Sequence, residues 1–182
     1  MSLISNIKRN FNQFFRGGCL TNEQLRKRGL AIGNNTDIYT SKIDFGHGYL
    51  ISIGDNVTIA SDVRLLNHDA STKKMLGYSK IGRIQIGNNV FIGAQAIILP
   101  NVTIGDNVVI GAGSVVAKDI PGNSVAIGNP CRIIGTYDNY AERMKILFES
   151  APRQETAYKD KKQEEKKDMA ELLKESGWGF DK

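Results

Sequence analysis

Two side chains in this 182-residue sequence have the chemistry of a base that works near neutral pH: His47 and His68, its only histidines. His68 stands in the run Leu65-Leu66-Asn67-His68-Asp69, and His47 in Phe45-Gly46-His47-Gly48-Tyr49. A neutral imidazole on an exposed edge can take the proton from a hydroxyl as its oxygen attacks an electrophile. His47 lies in irregular sequence and reads as structural or close to a substrate. Asp69 would face away from His68 on a regular strand. At the mouth of a loop it could orient the imidazole or hold an acceptor. A three-histidine zinc centre lacks its third ligand here, and the spacing of the two histidines is poor, so no metal is expected. Cys19 and Cys131 cannot build a disulfide framework, and a reducing, cytoplasmic setting is the simpler reading. With 24 Lys and Arg against 19 Asp and Glu, the net charge is +5. That suits an anionic ligand without demanding nucleic acid, and no nucleic-acid partner is expected.

The elements that must position these groups are announced by a repeat. Ile86, Ile92, Ile98, Ile104, Ile110 and Val116 follow one another at intervals of six, and an earlier block is led by Ile53, Ile59 and Leu65. The second residue of each hexad is often Gly and the fifth is Val, Ala or Ser. This fits a short strand followed by a turn, with leader and fifth residue pointing inward. Gly-Asn and Gly-Asp pairs supply the corners, where positive φ is cheap. Three faces, one hexad each, close a coil. Stacked coils pair their strands in parallel, and Ile and Val fill a narrow core.

The motif Ile-Gly-(Asp/Asn)-Asn-Val recurs at 53–57, 86–90 and 104–108. The last two are one coil of three hexads apart. The first two are further apart than that, and the excess of about 15 residues is long enough to be an expelled loop. It runs from near residue 70 to just before Ile86. His68 then sits at the end of a face, immediately before that loop. Ile127 lies one coil and five positions beyond Ile104, which implies a five-residue bulge around Pro121-Gly122-Asn123. Ile32 lies one coil and three positions before Ile53.

The hexapeptide pattern over roughly residues 30 to 135 resembles the left-handed parallel β-helix acyltransferases. The segment from Ile86 to Gly135 is similar to the sugar O-acetyltransferases of the galactoside, maltose and nodulation-factor type. The resemblance implies a mainly β fold, acetyl-CoA as donor, a saccharide acceptor, and a homotrimer with each active site between neighbouring subunits. It implies a histidine before the expelled loop as general base, here His68, acting by direct transfer in a ternary complex. His68-Asp69 also looks like transferases of surface-polysaccharide clusters. For the donor it implies Ala112 beside the pantetheine arm, and Ala117, Lys118 and Arg132 at the nucleotide end. Phe91 stands where some relatives have Trp. Ala94 stands where some have Ser, so only its backbone N–H could meet an oxyanion. The alternatives are acetylation of an amino sugar or another amine and, further off, a non-catalytic trimeric scaffold.

Three segments follow from this reading: an N-terminal helical segment at 1–28, the repeat domain at 29–135 with its loop at about 70–85, and a C-terminal helical extension at 136–182. Ile4, Ile7, Phe11 and Phe14 fall near helical spacing. They predict a helix packed on its own protein, with a weak membrane-surface contact through residues 1–16 as the other reading. No apolar run is long enough to span a membrane. In the extension, Pro152 breaks one helical pattern and Gly177 is a stop for a second, highly charged one.

Overall fold

The computed structural model describes residues 19–157 and 160–182. The expected helix over residues 1–16, with its membrane contact, lies outside them. Two compact units divide at Tyr137 and Asp138.

The first unit is a coil of short strands in three stacks. Ala31–Ile32, Ile51–Ile53, Ile84–Ile86 and Val102–Ile104 pair in parallel along one face. Asp37–Ile38, Thr58–Ile59, Val90–Ile92, Val108–Ile110 and Ser124–Ile127 form the second. Arg64–Leu65, Ile97–Ile98 and Val115–Val116 form the third. Every leader named above from Ile53 to Val116 is buried, and so, apart from Asp69 in the hexad led by Leu65, are the fifth residues, among them Val57, Val90, Ala96, Val108 and Ser114. The aliphatic core is therefore the direct product of the six-residue pattern: two inward slots per hexad, each stacked on its counterpart in the next coil.

The turns differ in one respect from the sequence reading. Positive φ falls on the asparagine that follows the Gly-Asn or Gly-Asp pair: Asn35, Asn56, Asn89 and Asn107, with φ between 48° and 55°. Their amides then bond along the axis, Asn35 to Asn56 at 2.7 Å, Asn56 to Asn89 at 3.2 Å and Asn89 to Asn107 at 3.0 Å. The glycine is required by proximity instead. A Cβ on Gly54 would lie 2.6 Å from the Gly87 carbonyl oxygen of the next coil.

Offsets between stacked strands test the predicted register. Ile86 pairs with Ile104, one coil of three hexads further on, and Ile53 pairs with Ile86 across the expelled segment. That segment is thus real, but the coil resumes at Ile84, which is buried and pairs with Ile51, so the loop closes a little before residue 85. The five-residue bulge does not exist. Val108 pairs with Ser124 and Ile104 bridges Ile120, and both offsets fall two positions short of three hexads. Ile127 consequently leaves the core and is 44% exposed, and Arg132–Gly135 folds back antiparallel on Ser124–Ile127.

At the start of the coil, the helix Asn22–Lys27 carries a capping box made by Thr21 and Gln24. Its Leu25 is fully buried among the coil's aliphatic residues. The second unit holds helices Tyr137–Ser150 and Gln163–Ser176, the latter ended by Gly177 at φ 70° as the sequence suggests. Its strands Arg153–Gln154 and Phe180–Asp181 pair in parallel, with Phe148 and Phe180 edge to face at 5.0 Å.

Candidate active site

The third stack delivers His68. Three positions after Leu65 the chain leaves the coil, and His68–Asp69 pairs antiparallel with Lys80–Ile81 at the root of the loop. Buried Asn67 locks that root: its carbonyl accepts from the Gly82 N–H at 2.9 Å and its side-chain amide donates to the His47 carbonyl at 2.6 Å. The His68 side chain is 43% exposed, as its place at the end of a face requires.

Asp69 does not orient it. One Asp69 oxygen accepts from the Ser71 N–H at 2.8 Å and the other pairs with Lys80 Nζ at 2.7 Å. Those contacts hold its carboxyl well below the usual carboxylate range and tie it into the loop. The strand alternation that aims His68 one way aims Asp69 the other.

The partner of His68 is Asp44, a residue the sequence reading missed. Asp44 Oδ2 meets His68 Nδ1. Its other oxygen accepts from the Gly46 N–H at 3.2 Å, capping the 3-10 turn Phe45–Leu50, and its backbone N–H donates to the Leu65 carbonyl at 3.1 Å. Only 13% of its side chain is exposed, so the carboxylate is sunk beneath the imidazole. A carboxylate can only accept, so Nδ1 carries the ring proton of neutral His68 and Nε2 keeps a lone pair. His47 completes the cluster, its ring centroid 5.9 Å from that of His68. The poor spacing of the two histidines in sequence is therefore no distance in space. His47 and His68 are separated by one coil plus three positions, the same offset at which Ile32 pairs with Ile53 and Ile38 with Ile59.

The residues assigned to the donor fall into two groups. Ala117, Lys118 and Arg132 line an open cleft of about 550 Å³ together with Val115, Asp119, Ile120, Pro130, Cys131 and Ile133. Arg132 donates to the Cys131 carbonyl at 3.1 Å, and partial burial pushes the Cys131 thiol pKa up. Phe91, Ala94 and Ala112 are not in that lining. Phe91 is on the outer face of its strand, beside Thr58 and Val109. Ala94 and Ala112 sit in stacked turns, where the Ala94 carbonyl accepts from the Gly113 N–H at 2.9 Å. The cleft and His68 share one corner of the coil. Leu65, Ile98 and Val116 stack in successive coils. His68 leaves the first of them and Ala117-Lys118 the third, two strand spacings or about 10 Å along the axis.

Residues 83–118 match the bacterial transferase hexapeptide (six repeats) family. Protein CapG of Staphylococcus aureus is 44% identical over 149 residues, 79% of this chain and 86% of CapG. A maltose O-acetyltransferase from Clostridium difficile 630 superposes with a TM-score of 0.50 at 34% identity, over 68% of this chain and 81% of that one. A galactoside acetyltransferase in complex with coenzyme A does so with a TM-score of 0.55 at 30% identity, over 75% and 82%. A six-residue aliphatic repeat wound into a three-faced coil, matched over most of its length to sugar acetyltransferases, leads to one conclusion: this chain belongs to the hexapeptide-repeat, left-handed β-helix acetyltransferases of the sugar O-acetyltransferase type.

Proposed function

We infer that the protein transfers an acetyl group from acetyl-CoA to a hydroxyl of a saccharide in a ternary complex, with His68 as general base. The observation that carries this is the Asp44–His68 contact: it fixes the tautomer with Nε2 free to accept, on an exposed edge at the corner that also bears the Lys118–Arg132 cleft. The acceptor oxygen attacks the thioester carbonyl carbon while Nε2 takes its proton. The tetrahedral oxyanion is met by the Ala94 N–H, in the manner of an oxyanion hole. Collapse breaks the C–S bond, and the imidazolium returns the proton to the leaving thiolate, giving CoA and the acetyl ester. Asp44 is a positioning residue that stabilises the imidazolium between these two transfers.

Lys118 and Arg132 suit the phosphates at the nucleotide end of the donor, with Ala117 beside them, and a small residue at Ala112 leaves room for the pantetheine arm. Phe91, 45% exposed on the coil's outer face, suits an apolar wall. The relatives named for galactoside and maltose support a sugar acceptor. A homotrimer with sites between subunits accords with the family and with a cleft that lies open in the single chain.

Titration calorimetry with acetyl-CoA, followed by a panel of saccharide acceptors read by thiol release, tests this reading. One acetyl-CoA per chain is expected, with turnover on a sugar that His68→Ala lowers by roughly 10²–10⁴ while leaving donor binding intact. Donor binding without a sugar that turns over, or turnover indifferent to His68→Ala, refutes it.

A further inference from the structure

The Asp44–His68 pair accounts for two members of the Asp44, His47 and His68 cluster and leaves the third without a task. His47 Nδ1 is buried and has no hydrogen-bond partner among the described residues. A buried ring nitrogen left unsatisfied has lost its water without gaining a partner, so it calls for an explanation. His47 is also held firmly. Its carbonyl is bonded by Asn67, the residue next to His68, and the turn kinks at His47 itself, with φ −128° and ψ 39° inside a 3-10 span. One ligand atom from each of Asp44, His47 and His68 lies within 4.8 Å of the other two.

We propose that Asp44, His47 and His68 form an inhibitory site for a divalent transition metal ion, zinc by preference, that switches the general base off. Two imidazoles and a carboxylate are a borderline nitrogen–oxygen donor set that suits Zn²⁺ far better than Mg²⁺ or Ca²⁺. Ligand atoms about 2.1 Å from a tetrahedral zinc are about 3.4 Å from one another, so Asp44 and His68, which touch, must part to admit the ion while the more distant ligand atoms close by up to about 1.4 Å. The exposed His68 side chain has the freedom to make that movement, and water supplies the fourth ligand. The cation enters between Asp44 and the His68 nitrogen that faces it, Nδ1.

The consequence for catalysis is a matter of proton count. With Asp44 accepting from Nδ1–H, Nε2 holds the lone pair that the reaction needs. With the metal on Nδ1, the same single ring proton moves through water to Nε2, and no lone pair remains there. The metal-bound and the active form are different tautomers of one imidazole, so occupancy and activity exclude each other. The inhibition rests on His68 being the base, as proposed above; the binding does not.

The test titrates the full-length metal-free protein with Zn²⁺, the free ion being fixed by a chelator buffer because the CoA thiol binds zinc. Calorimetry and thermal shift read binding, and acetyl transfer reads its effect. One zinc per chain, a raised Tm and a rate that falls in step with occupancy are expected. His47→Gln, compared with its own zinc-free rate, should weaken both binding and inhibition about tenfold or more. Cobalt(II) bound to the unaltered protein should show the visible bands of a four-coordinate site with nitrogen ligands, a readout independent of how any variant folds. Absence of binding at about 100 μM free zinc, where a micromolar Kd predicts near-saturation, overturns the proposal. So does zinc affinity unaffected by His47→Gln, zinc that raises the rate, or bound zinc that leaves the rate unaltered in an enzyme inactivated by His68→Ala. Zinc binding to a protein whose turnover ignores His68→Ala would instead refute the base assignment and leave the metal site standing.

Discussion

Asp44→Asn separates the positioning of His68 from everything else the carboxylate does. The side chain keeps its size, and its amide oxygen still accepts from the Gly46 N–H, so the cap of the turn Phe45–Leu50 survives. The lost property is the ability to be nothing but an acceptor. Turned so that its oxygen caps Gly46, the amide presents NH2 to His68 Nδ1 and donates to it. The ring proton must then reside on Nε2, which is the wrong tautomer for a base. A general base contributes roughly 10²–10⁴ in rate, about 2.7–5.4 kcal/mol of barrier at 1.36 kcal/mol per tenfold. The expected fall in kcat therefore approaches that of His68→Ala, with the KM for acetyl-CoA unaltered. Asp44→Ala should cost less, because an imidazole with no partner keeps part of its population in the productive tautomer. The assay is thiol release with the best sugar from the acceptor panel, beside a thermal melt of each variant. In the double variant His68→Ala/Asp44→Asn the losses should not multiply, since the pair acts as a unit. A kcat for Asp44→Asn within about threefold of the parent, or losses that multiply in the double variant, would show that Asp44 does not set the tautomer of His68.

Ile98→Ala empties a fully buried slot between Leu65 and Val116 and should lower stability by about 2–5 kcal/mol in urea unfolding; a loss under about 1 kcal/mol would mean the coil closes over the gap. Lys118→Glu or Arg132→Glu should raise the KM for acetyl-CoA about tenfold while changing the acceptor KM little; equal effects on both would remove these residues from the donor cleft. Burial raises the pKa of the Cys131 thiol, so at neutral pH its folded form should be alkylated more slowly than a free thiol, with the rate climbing at alkaline pH. Because Cys131 lines the cleft, saturating CoA should slow it further, and rapid neutral alkylation or indifference to CoA, followed by mass spectrometry, contradicts that placement.

What could be read along the chain and what could not divide along a physical line. The six-residue period determined the coil, because the inward slots take small or aliphatic side chains and the two slots of a hexad fall at fixed positions. Ile53, Ile86 and Ile104 thereby located the expelled loop and put His68 on an exposed edge at its root. The pattern failed where a slot can be reached by more than one count. Ile127-Gly128-Asn129 imitates a hexad, yet the last coil is two positions short and Ile120 takes the inward place, so the motif lies outside the core. The same limit hid the partner of His68. Residues 40–52 carry no period, so nothing in their order says which of them crosses the coil to meet residue 68. That was decided by hydrogen bonds between coils, the Asp44 N–H to the Leu65 carbonyl and the Asn67 amide to the His47 carbonyl. One faint signal existed. The offset of one coil plus three between Ile32 and Ile53, carried forward, leads from His47 to His68 and from Asp44 to Leu65. A repeat tells which way each residue faces; only closure of the backbone ladder tells which irregular residue lies against which, and Asp44 and His47, the neighbours of the proposed base His68, are irregular ones.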